Sequence, residues 1–141
     1  MSSPARFAGG CHCGQVRFEA AGPAVNLCYC HCETCRRATG APMVPWAGFA
    51  RAQFVVLRGE LTEYQSSAKV HRGFCAQCGA SLTYRNDDYP SELDVTLSTL
   101  EDAALLVPEV HIWVQDKLPW VVIADGKPQF PRSRPDGPQA G

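Results

Sequence analysis

Eight cysteines in three short blocks constrain this chain more than any other feature of its sequence. Two lie in the block GGCHCG, four in CYCHCETC and two in FCAQCG. In chain order they are Cys11, Cys13, Cys28, Cys30, Cys32, Cys35, Cys75 and Cys78. Cysteines clustered in this way form disulfides in exported proteins and hold metal ions in reducing compartments. The expected compartment therefore decides how the three blocks are interpreted.

The sequence predicts a chain that stays in the reducing cytoplasm. Its first residues, MSSPARFAGG, lack the apolar stretch of a secretory signal. The longest apolar run, 119–124, is far shorter than the ~18 residues that span a bilayer. With 13 basic and 14 acidic side chains the formal net charge is −1, which gives no positive field to attract nucleic acid or anionic lipid. We therefore expect metal thiolates rather than disulfides, and neither a nucleic-acid nor a membrane partner.

Short β-strand patterns dominate the chain, whose 141 residues correspond to about one domain. Alternating or apolar segments bounded by Gly, Pro, Asn or Asp predict strands at 15–19, 27–32, 44–49, 54–57, 61–65, 70–74, 81–84, 93–97, 110–114 and 120–123. Only two segments have the composition of a short helix. These are 34–39, with Thr34 as N-cap and Gly40 as stop, and 101–106. The prediction is a mainly β domain over 6–131 and a flexible tail over 132–141.

The spacing of the cysteines limits how they can share an ion. Around tetrahedral zinc, with Zn–S bonds near 2.3 Å, the sulfurs lie roughly 3.8 Å apart. A Cys-x-x-Cys on a turn reaches that separation easily. A Cys-x-Cys in an extended strand has its two residues roughly 6–7 Å apart, so its backbone must bend. The glycines on both sides of Cys11 and Cys13 permit that bend.

The first and third blocks together can form a closed site of four thiolates. Cys11 and Cys13 would join Cys75 and Cys78, more than sixty residues later, and the ion would contribute directly to folding. The alternative is a zinc ribbon, in which the last two cysteines of the middle block join the third. Its gap is about double the ~15–20 residues of that pattern, and it leaves the first block without a partner.

The middle block then supplies a second site with three thiolates, Cys30, Cys32 and Cys35. Three protein ligands leave a fourth position for water or substrate, which is the arrangement of a catalytic zinc. Cys28 shares strand parity with Cys30 and Cys32, so it could fill the fourth position and close the site. It could equally be a small buried hydrophobe. Four thiolates also suit iron, so zinc is not the only candidate metal.

The motifs GGCHCG, CHCETCRRATGAP and FCAQCGASL, in this order, resemble the glutathione-dependent formaldehyde-activating enzyme family, which also includes centromere protein V. The likeness runs from Gly9 to about Phe130. It implies two antiparallel sheets held together by zinc, with one structural ion on the outer four cysteines and a second ion, where chemistry is proposed, on Cys30, Cys32 and Cys35. Cys28 is an addition to the family motif.

The resemblance implies a carbon–sulfur lyase that adds glutathione, or a similar thiol, to formaldehyde or another small carbonyl. Three thiolates leave zinc a formal −1, which disfavours hydroxide formation but still allows a bound thiol to lose its proton. Arg36 and Arg37 follow a ligand directly and are candidate anchors for the anionic thiol. Trp46 is interpreted as core or as a substrate wall, and His111 as solvent-facing or pocket-lining.

Two other functions fit the same residues. One is a zinc-stabilised binding protein without catalysis, although the chain lacks an extended basic segment for chromatin or microtubules. The other is a thiol-based sensor in which Cys28 is the reactive sulfur. The sequence identifies neither the thiol nor the electrophile, and it predicts no oligomeric state.

Overall fold

A computed structural model describes residues 5–135 as strands joined by short turns around a single α-helix. The strands are β1 Arg6–Gly10, β2 Arg17–Ala21, β3 Val25–Cys30, β4 Val44–Ala50, β5 Phe54–Arg58, β6 Thr62–Ser67, β7 Val70–Phe74, β8 Ser81–Asn86, β9 Glu92–Thr96 and β10 Val110–Ile112. The helix, α1, spans Glu33–Thr39. Single 3-10 turns lie at Arg51–Gln53, Leu97–Thr99, Ala103–Leu105 and Val114–Asp116.

The strands form two sheets, which confirms the predicted mainly β, two-sheet class. The small sheet has the order β1-β2-β5, and the large sheet has the order β10-β3-β4-β9-β8-β7-β6. Every pair is antiparallel except β10 with β3, which runs parallel. The parallel pair follows from the long return of the chain across the sheet before β10.

Alternation along β4 shows how the large sheet separates two cores. Val44 and Trp46 face one apolar cluster, which also holds the cysteines of the middle block. Ala47 and Phe49 face the other cluster, which includes residues of the small sheet and the cysteines Cys11 and Cys75. The two-residue period of a strand therefore places the two groups of cysteines in different cores.

The helix α1 begins where a cysteine caps it. Cys32 is the N-cap, and its Sγ accepts a hydrogen bond from the backbone N–H of Cys35. Gly40 ends the helix in the left-handed conformation at φ 76°, as predicted for a C-terminal glycine. The predicted N-cap Thr34 is wrong, because Cys32 lies at the N-cap and its sulfur accepts from the N–H of Cys35 in the first turn.

Three local predictions differ from the structure. The segment 120–123 is not a strand: Trp120 ends a turn, residues 121–123 have no regular secondary structure, and Trp120 and Val122 are largely exposed. The segment 101–106 has only the 3-10 turn Ala103–Leu105. The strand β1 was missed, because its paired glycines give no strand signal although they fit closely against β2.

The two ends of the chain are only partly described. The predicted tail 132–141 begins inside the described range, where Arg132 accepts a backbone hydrogen bond from Trp113 and Arg134 approaches Glu109 at 3.6 Å. Residues 136–141 lie outside that range. Within 5–135, no helix has the length and apolar character needed to cross a bilayer.

Candidate metal centres

The first centre joins the two hairpin turns that carry the first and third cysteine blocks. In the β1–β2 turn the N–H of Gly14 donates to the carbonyl of Cys11, and in the β7–β8 turn the N–H of Gly79 donates to the carbonyl of Cys75. Both glycines have φ near 80°, a conformation that costs other residues free energy. The two turns thereby present Cys13 and Cys78 beside their partners.

The four sulfurs of this centre have the spacing that a tetrahedral ion requires. The Sγ of Cys13 lies 3.6 Å from that of Cys11 and 3.8 Å from that of Cys75. All four sulfurs, including that of Cys78, lie within 4.8 Å of one another. Thiolate ligands of zinc lie roughly 3.8 Å apart. The donor set therefore fits a metal ion with four sulfur ligands.

Backbone N–H groups stabilise negative charge on these sulfurs. Val16 donates to the Sγ of Cys11 at 3.2 Å, and Cys78 donates to that of Cys75 at 3.4 Å. Hydrogen bonds from the backbone of Cys13 and Ala80 lower the pKa of Cys78 to about 6. The thiolate form of Cys78, which binds metal, is thus favoured near neutral pH, whereas desolvation and the neighbouring sulfurs of the cluster raise the pKa of Cys13.

The second centre lies where β3 runs into α1. Cys30 ends the strand, Cys32 caps the helix and Cys35 lies in its first turn. Their sulfurs lie within 4.8 Å of one another, and all three side chains are buried. The abrupt change from strand to helix after Cys30 is what lets three closely spaced cysteines converge. The zinc-ribbon alternative is wrong, because the cysteines of the third block are grouped with those of the first block and not with those of the middle block.

The pKa values of the three thiols depend on one another, because their sulfurs are hydrogen-bonded to each other. Hydrogen bonds from the thiols of Cys30 and Cys35 lower the pKa of Cys32 to about 3. Donation to Cys32 and Cys35, together with burial, raises the pKa of Cys30 well above its ordinary value. Without a metal the cluster thus holds one thiolate and two thiols, and all three sulfurs could be deprotonated together only around a cation. A divalent ion with soft-ligand preference suits the donor set.

Cys28 stands apart from this cluster. It lies on the same face of β3 as Cys30, but the sulfurs that could share an ion at this centre are those of Cys30, Cys32 and Cys35 alone among the residues described. It is 3% exposed, and burial raises the pKa of its thiol far above the ordinary value. A buried, protonated thiol is a small apolar side chain, which argues against Cys28 as a reactive sensor.

A buried arginine contacts the three-cysteine cluster. Arg72 of β7 is 3% exposed, and its Nη1 donates to the Sγ of Cys35 at 3.5 Å. Its Nε donates to the hydroxyl of Ser66 at 3.0 Å, and its guanidinium lies 5.2 Å from the centre of the Tyr84 ring. Within residues 5–135 its Nη2 is buried without a hydrogen-bond partner. This fixed positive charge offsets the negative charge of the sulfur cluster.

The predicted substrate residues Trp46 and His111 are both buried. Trp46 packs against Tyr84 in the core that surrounds the three cysteines, with ring centres 5.8 Å apart. His111 Nδ1 lies 2.9 Å from His31 Nε2, and His111 Nε2 lies 2.8 Å from the carboxylate of Asp125. Both ring nitrogens of His111 are thus used within the protein. Contact of either residue with a substrate stays a prediction.

His31, His111 and Asp125 form a chain of hydrogen bonds. Donation from His111 lowers the pKa of Asp125, so the carboxylate is ionised and accepts from Nε2–H. The other ring nitrogen of His111, Nδ1, faces Nε2 of His31. Burial, followed by the neighbouring His111, lowers the pKa of His31 to about 4, so this ring is neutral. The chain ties β3 to β10 and to the segment beyond it.

Arg36 and Arg37 lie at a groove beside the end of α1. Arg36 donates to the carbonyls of His31 and Asp116, both at 3.4 Å, and Arg37 pairs with Glu33 at 3.2 Å. The groove encloses about 240 Å³ and is also lined by the exposed Trp120. The two predicted anion anchors therefore share one surface, outside the buried sulfur cluster.

Comparison with known proteins identifies the family. Residues 6–116 match the model of the family described as glutathione-dependent formaldehyde-activating enzyme. The chain belongs to this family. A Halomonas elongata protein, named as a candidate glutathione-dependent formaldehyde-activating enzyme, is 29% identical over 126 residues, which cover 82% of this chain and 79% of that protein. The family assignment confirms the resemblance that the cysteine motifs carry.

Two further relatives agree with this assignment. An uncharacterized lyase of Schizosaccharomyces pombe is 30% identical over 86 residues, covering 60% of this chain and 62% of that protein. A crystal structure of a Rhodobacter sphaeroides protein superposes with a TM-score of 0.56 at 26% identity, covering 87% of this chain and 98% of that one. The family match and these names support a formaldehyde-activating or lyase type of activity.

Sequence reasoning missed the position of Arg72 in this family member. By its composition, the segment VHRGF predicts a strand with exposed polar side chains, among which Arg72 could bind a carboxylate. Alternation contains the missing signal, because Val70, Arg72 and Phe74 share one face of β7. A charged residue between two apolar ones on the same face indicates a buried ion that needs an opposite charge nearby.

Proposed function

We propose that this protein is a zinc-dependent carbon–sulfur lyase that adds glutathione, or a related thiol, to a small carbonyl such as formaldehyde. The observation that carries the proposal is the second centre, where Cys30, Cys32 and Cys35 bring three sulfurs together without a fourth. The first centre of the same chain has four sulfurs, so the two centres differ in whether a ligand position is left for a substrate. Three protein ligands leave room for the sulfur of a substrate.

The proposed reaction needs no oxidant or reductant. The thiol sulfur forms a bond to the carbonyl carbon, and the π electron pair of the C=O bond moves to the oxygen. The proton that the thiol loses ends on that oxygen, which gives an S-hydroxymethyl product from formaldehyde. Zinc at the second centre would supply the thiolate by lowering the pKa of the thiol that binds beside it.

The residues of the chain would contribute position and charge. Cys30, Cys32 and Cys35 would hold the ion in a buried pocket from which water is largely excluded. Arg72, at 3.5 Å from the Sγ of Cys35, would balance the charge of the cluster as an anionic thiolate enters. Without that guanidinium, a second negative charge in the buried pocket would be strongly disfavoured.

Glutathione would be held outside the pocket by its carboxylates. Arg36 and Arg37 line the groove at the end of α1, and Trp120 provides an apolar surface beside them. Arginine pairs with a carboxylate through two parallel hydrogen bonds, which fixes orientation as well as charge. Trp46 and His111 would support the pocket from the core, with His111 acting through the chain to His31 and Asp125.

The proposal includes the setting and extent of the active unit. The domain would span 6–131, hold two zinc ions, one structural and one catalytic, and work in the reducing cytoplasm, where cysteines remain thiolates. Its partners would be a small-molecule thiol and a small electrophile.

The test combines metal content with the rate of thiol addition. We expect the wild-type protein to bind two zinc ions and to accelerate the equilibration of glutathione with ¹³C-formaldehyde, measured by exchange NMR spectroscopy. Cys32→Ala should bind one zinc ion and lose the acceleration. Cys28→Ala is the matched control in the same block, and it should keep both ions and the wild-type rate. Loss of an ion in Cys28→Ala, or acceleration that survives in Cys32→Ala, would overturn the proposal.

A further inference from the structure

A cavity on the helix side of the large sheet lies outside the two sulfur clusters. It is open to solvent, measures about 420 Å³ and lies between α1 and the edge of the sheet, and its walls include Ala38, Tyr64, Gly73, Phe74 and Arg72. Cavities of roughly 300–1,000 Å³ are typical of small-molecule sites. Its size therefore suits a ligand larger than formaldehyde.

Sequence register explains why the cavity forms. Tyr64 of β6 lies directly opposite Arg72 of β7, so the two side chains share the face that α1 covers. Ala38 is the small residue that α1 presents to this space. A larger side chain at that position would fill the gap between helix and sheet. The cavity is thus built by one small helical residue opposite two aromatic ones.

The cavity adjoins the three-cysteine cluster through a single shared residue. Arg72 lines the cavity and also donates to the Sγ of Cys35 at 3.5 Å. Its Nη2 is buried and lacks a hydrogen-bond partner among the described residues. Arg72 therefore supplies a positively charged donor group at the junction between the cavity and the cluster. A carbonyl oxygen is a suitable acceptor.

The chemistry of the walls selects among possible occupants. Apart from Arg72 and the hydroxyl of Ser81 the walls are aromatic or small and apolar. Only one carboxylate of glutathione could pair with a cation there, and its second carboxylate and its ammonium group would have no charged partner. Formaldehyde has only hydrogens on its carbonyl carbon and would leave most of the space unfilled. An aldehyde with an apolar or aromatic substituent fills the cavity with the substituent and directs its oxygen toward Arg72.

We infer that the cavity is a specificity site for the substituent of an apolar aldehyde, which serves as the electrophile in place of formaldehyde. The inference rests on the proposed thiol addition, and it names the substrate class of that reaction. The bond changes are those given above, with the thiol proton transferred to the aldehyde oxygen. Arg72 is a positioning residue that lies between the substituent and the sulfur cluster.

The test separates binding from turnover. 2-Phenylethanol carries the ring of phenylacetaldehyde but cannot add a thiol, so ¹H–¹⁵N NMR titration of the zinc-loaded protein reports occupancy of the cavity alone. We expect shifts at the amides of Ala38, Tyr64, Gly73 and Phe74. Initial rates with glutathione and either phenylacetaldehyde or formaldehyde then give kcat/KM for each aldehyde.

Two variants alter the cavity without removing a buried group. Ala38→Leu fills it from an exposed helical position, and Tyr64→Ala removes an aromatic wall that is 61% exposed. Each should weaken 2-phenylethanol binding and lower kcat/KM for phenylacetaldehyde by about tenfold or more, with formaldehyde unaffected. Ala52→Leu, at an exposed position of the turn Arg51–Gln53, is the matched control and should change neither quantity.

The outcomes distinguish this inference from the proposed function. Formaldehyde turnover without shifts at the cavity, or 2-phenylethanol binding that Ala38→Leu leaves intact, overturns the inference while the lyase assignment stands. Binding that both variants weaken, with no turnover of either aldehyde, supports the apolar site and overturns the lyase assignment. Equal loss of both aldehyde activities in Ala38→Leu also overturns the inference, because a specificity site must discriminate.

Discussion

Removal of one exposed cysteine tests whether the four-sulfur centre holds the fold together. Cys78 lies on the β7–β8 turn and is exposed, so Cys78→Ala creates no cavity in the core. The change leaves three sulfurs, as at the second centre, but here Cys13 is exposed to solvent and Arg72 is not in contact with the sulfurs. The ion should therefore dissociate, and the pair formed by Cys11 and Cys13 would no longer be fixed to Cys75. Any large loss of stability must then come through the ion.

The size of the effect follows from the loop that the ion closes. Cys13 and Cys75 are 62 positions apart. Cross-linking a loop of that length lowers the entropy of the unfolded chain by an amount worth about 4 kcal/mol at room temperature. A typical domain has only about 5–15 kcal/mol of stability in total. We therefore expect Cys78→Ala to lose a large part of its free energy of unfolding.

Urea unfolding followed by circular dichroism, with zinc measured on the same samples, provides the assay. Wild-type protein should hold two zinc ions, and Cys78→Ala one ion with a free energy of unfolding about 4 kcal/mol lower. Gln77→Ala, at an exposed position of the same turn, should match the wild type in both measurements. Two retained ions, or a free energy of unfolding within about 1 kcal/mol of the wild type, would refute a structural role for the centre.

Three further changes test the buried polar groups. His111→Phe keeps an aromatic ring but removes the hydrogen-bond partner of His31, so the free energy of unfolding should fall by about 1–3 kcal/mol. Unchanged stability in urea would contradict the chain of hydrogen bonds. In Arg72→Lys a single ammonium group replaces the planar guanidinium that contacts both Ser66 and the sulfur of Cys35. The free energy of unfolding should fall by about 1.5–3 kcal/mol, and the second centre should release zinc at a lower chelator concentration. Wild-type values in both measurements would contradict this role of Arg72. Burial, followed by the charge of Glu92, raises the pKa of Asp94 to about 7, so between about pH 4 and 7 the folded chain keeps a proton that the unfolded chain has released. The stability of wild type relative to Asp94→Asn should therefore fall as pH rises through that window, by at most about 1.4 kcal/mol per pH unit, and a difference that is constant with pH would contradict it.

The sequence predicted the parts of this structure that depend on local spacing. Turn glycines and short cysteine spacings led to the grouping of the first and third blocks, and alternation located most of the strands of the large sheet. These signals are local because a turn or a strand is defined by a few neighbouring residues. The start of α1 was misplaced, since the cap is the sulfur of Cys32, a residue type that cap preferences do not favour.

Features that depend on contacts between distant strands could not be predicted in the same way. In β8 the pairing with β7 shifts between Gly73 and Phe74, so that Gly73 lies opposite Thr83 and Phe74 opposite Ser81. This irregularity allows Leu82 and Tyr84, two positions apart, to enter different cores. Strict alternation would place both on one face. The surroundings of Arg72, which include Tyr84, therefore required the structure.

Charge and burial together explain why the two centres differ in their number of cysteines. Four thiolates around a divalent ion leave a net charge of −2, which is tolerable where Cys13 and Cys78 are exposed to solvent. Three thiolates leave −1 in a buried pocket, and Arg72 reduces the local sum to about zero. An incoming thiolate then restores only a single negative charge, with the guanidinium beside it. A fourth protein cysteine would create that charge permanently, whereas a site with three cysteines would still be able to accept an anion, as the proposed reaction requires.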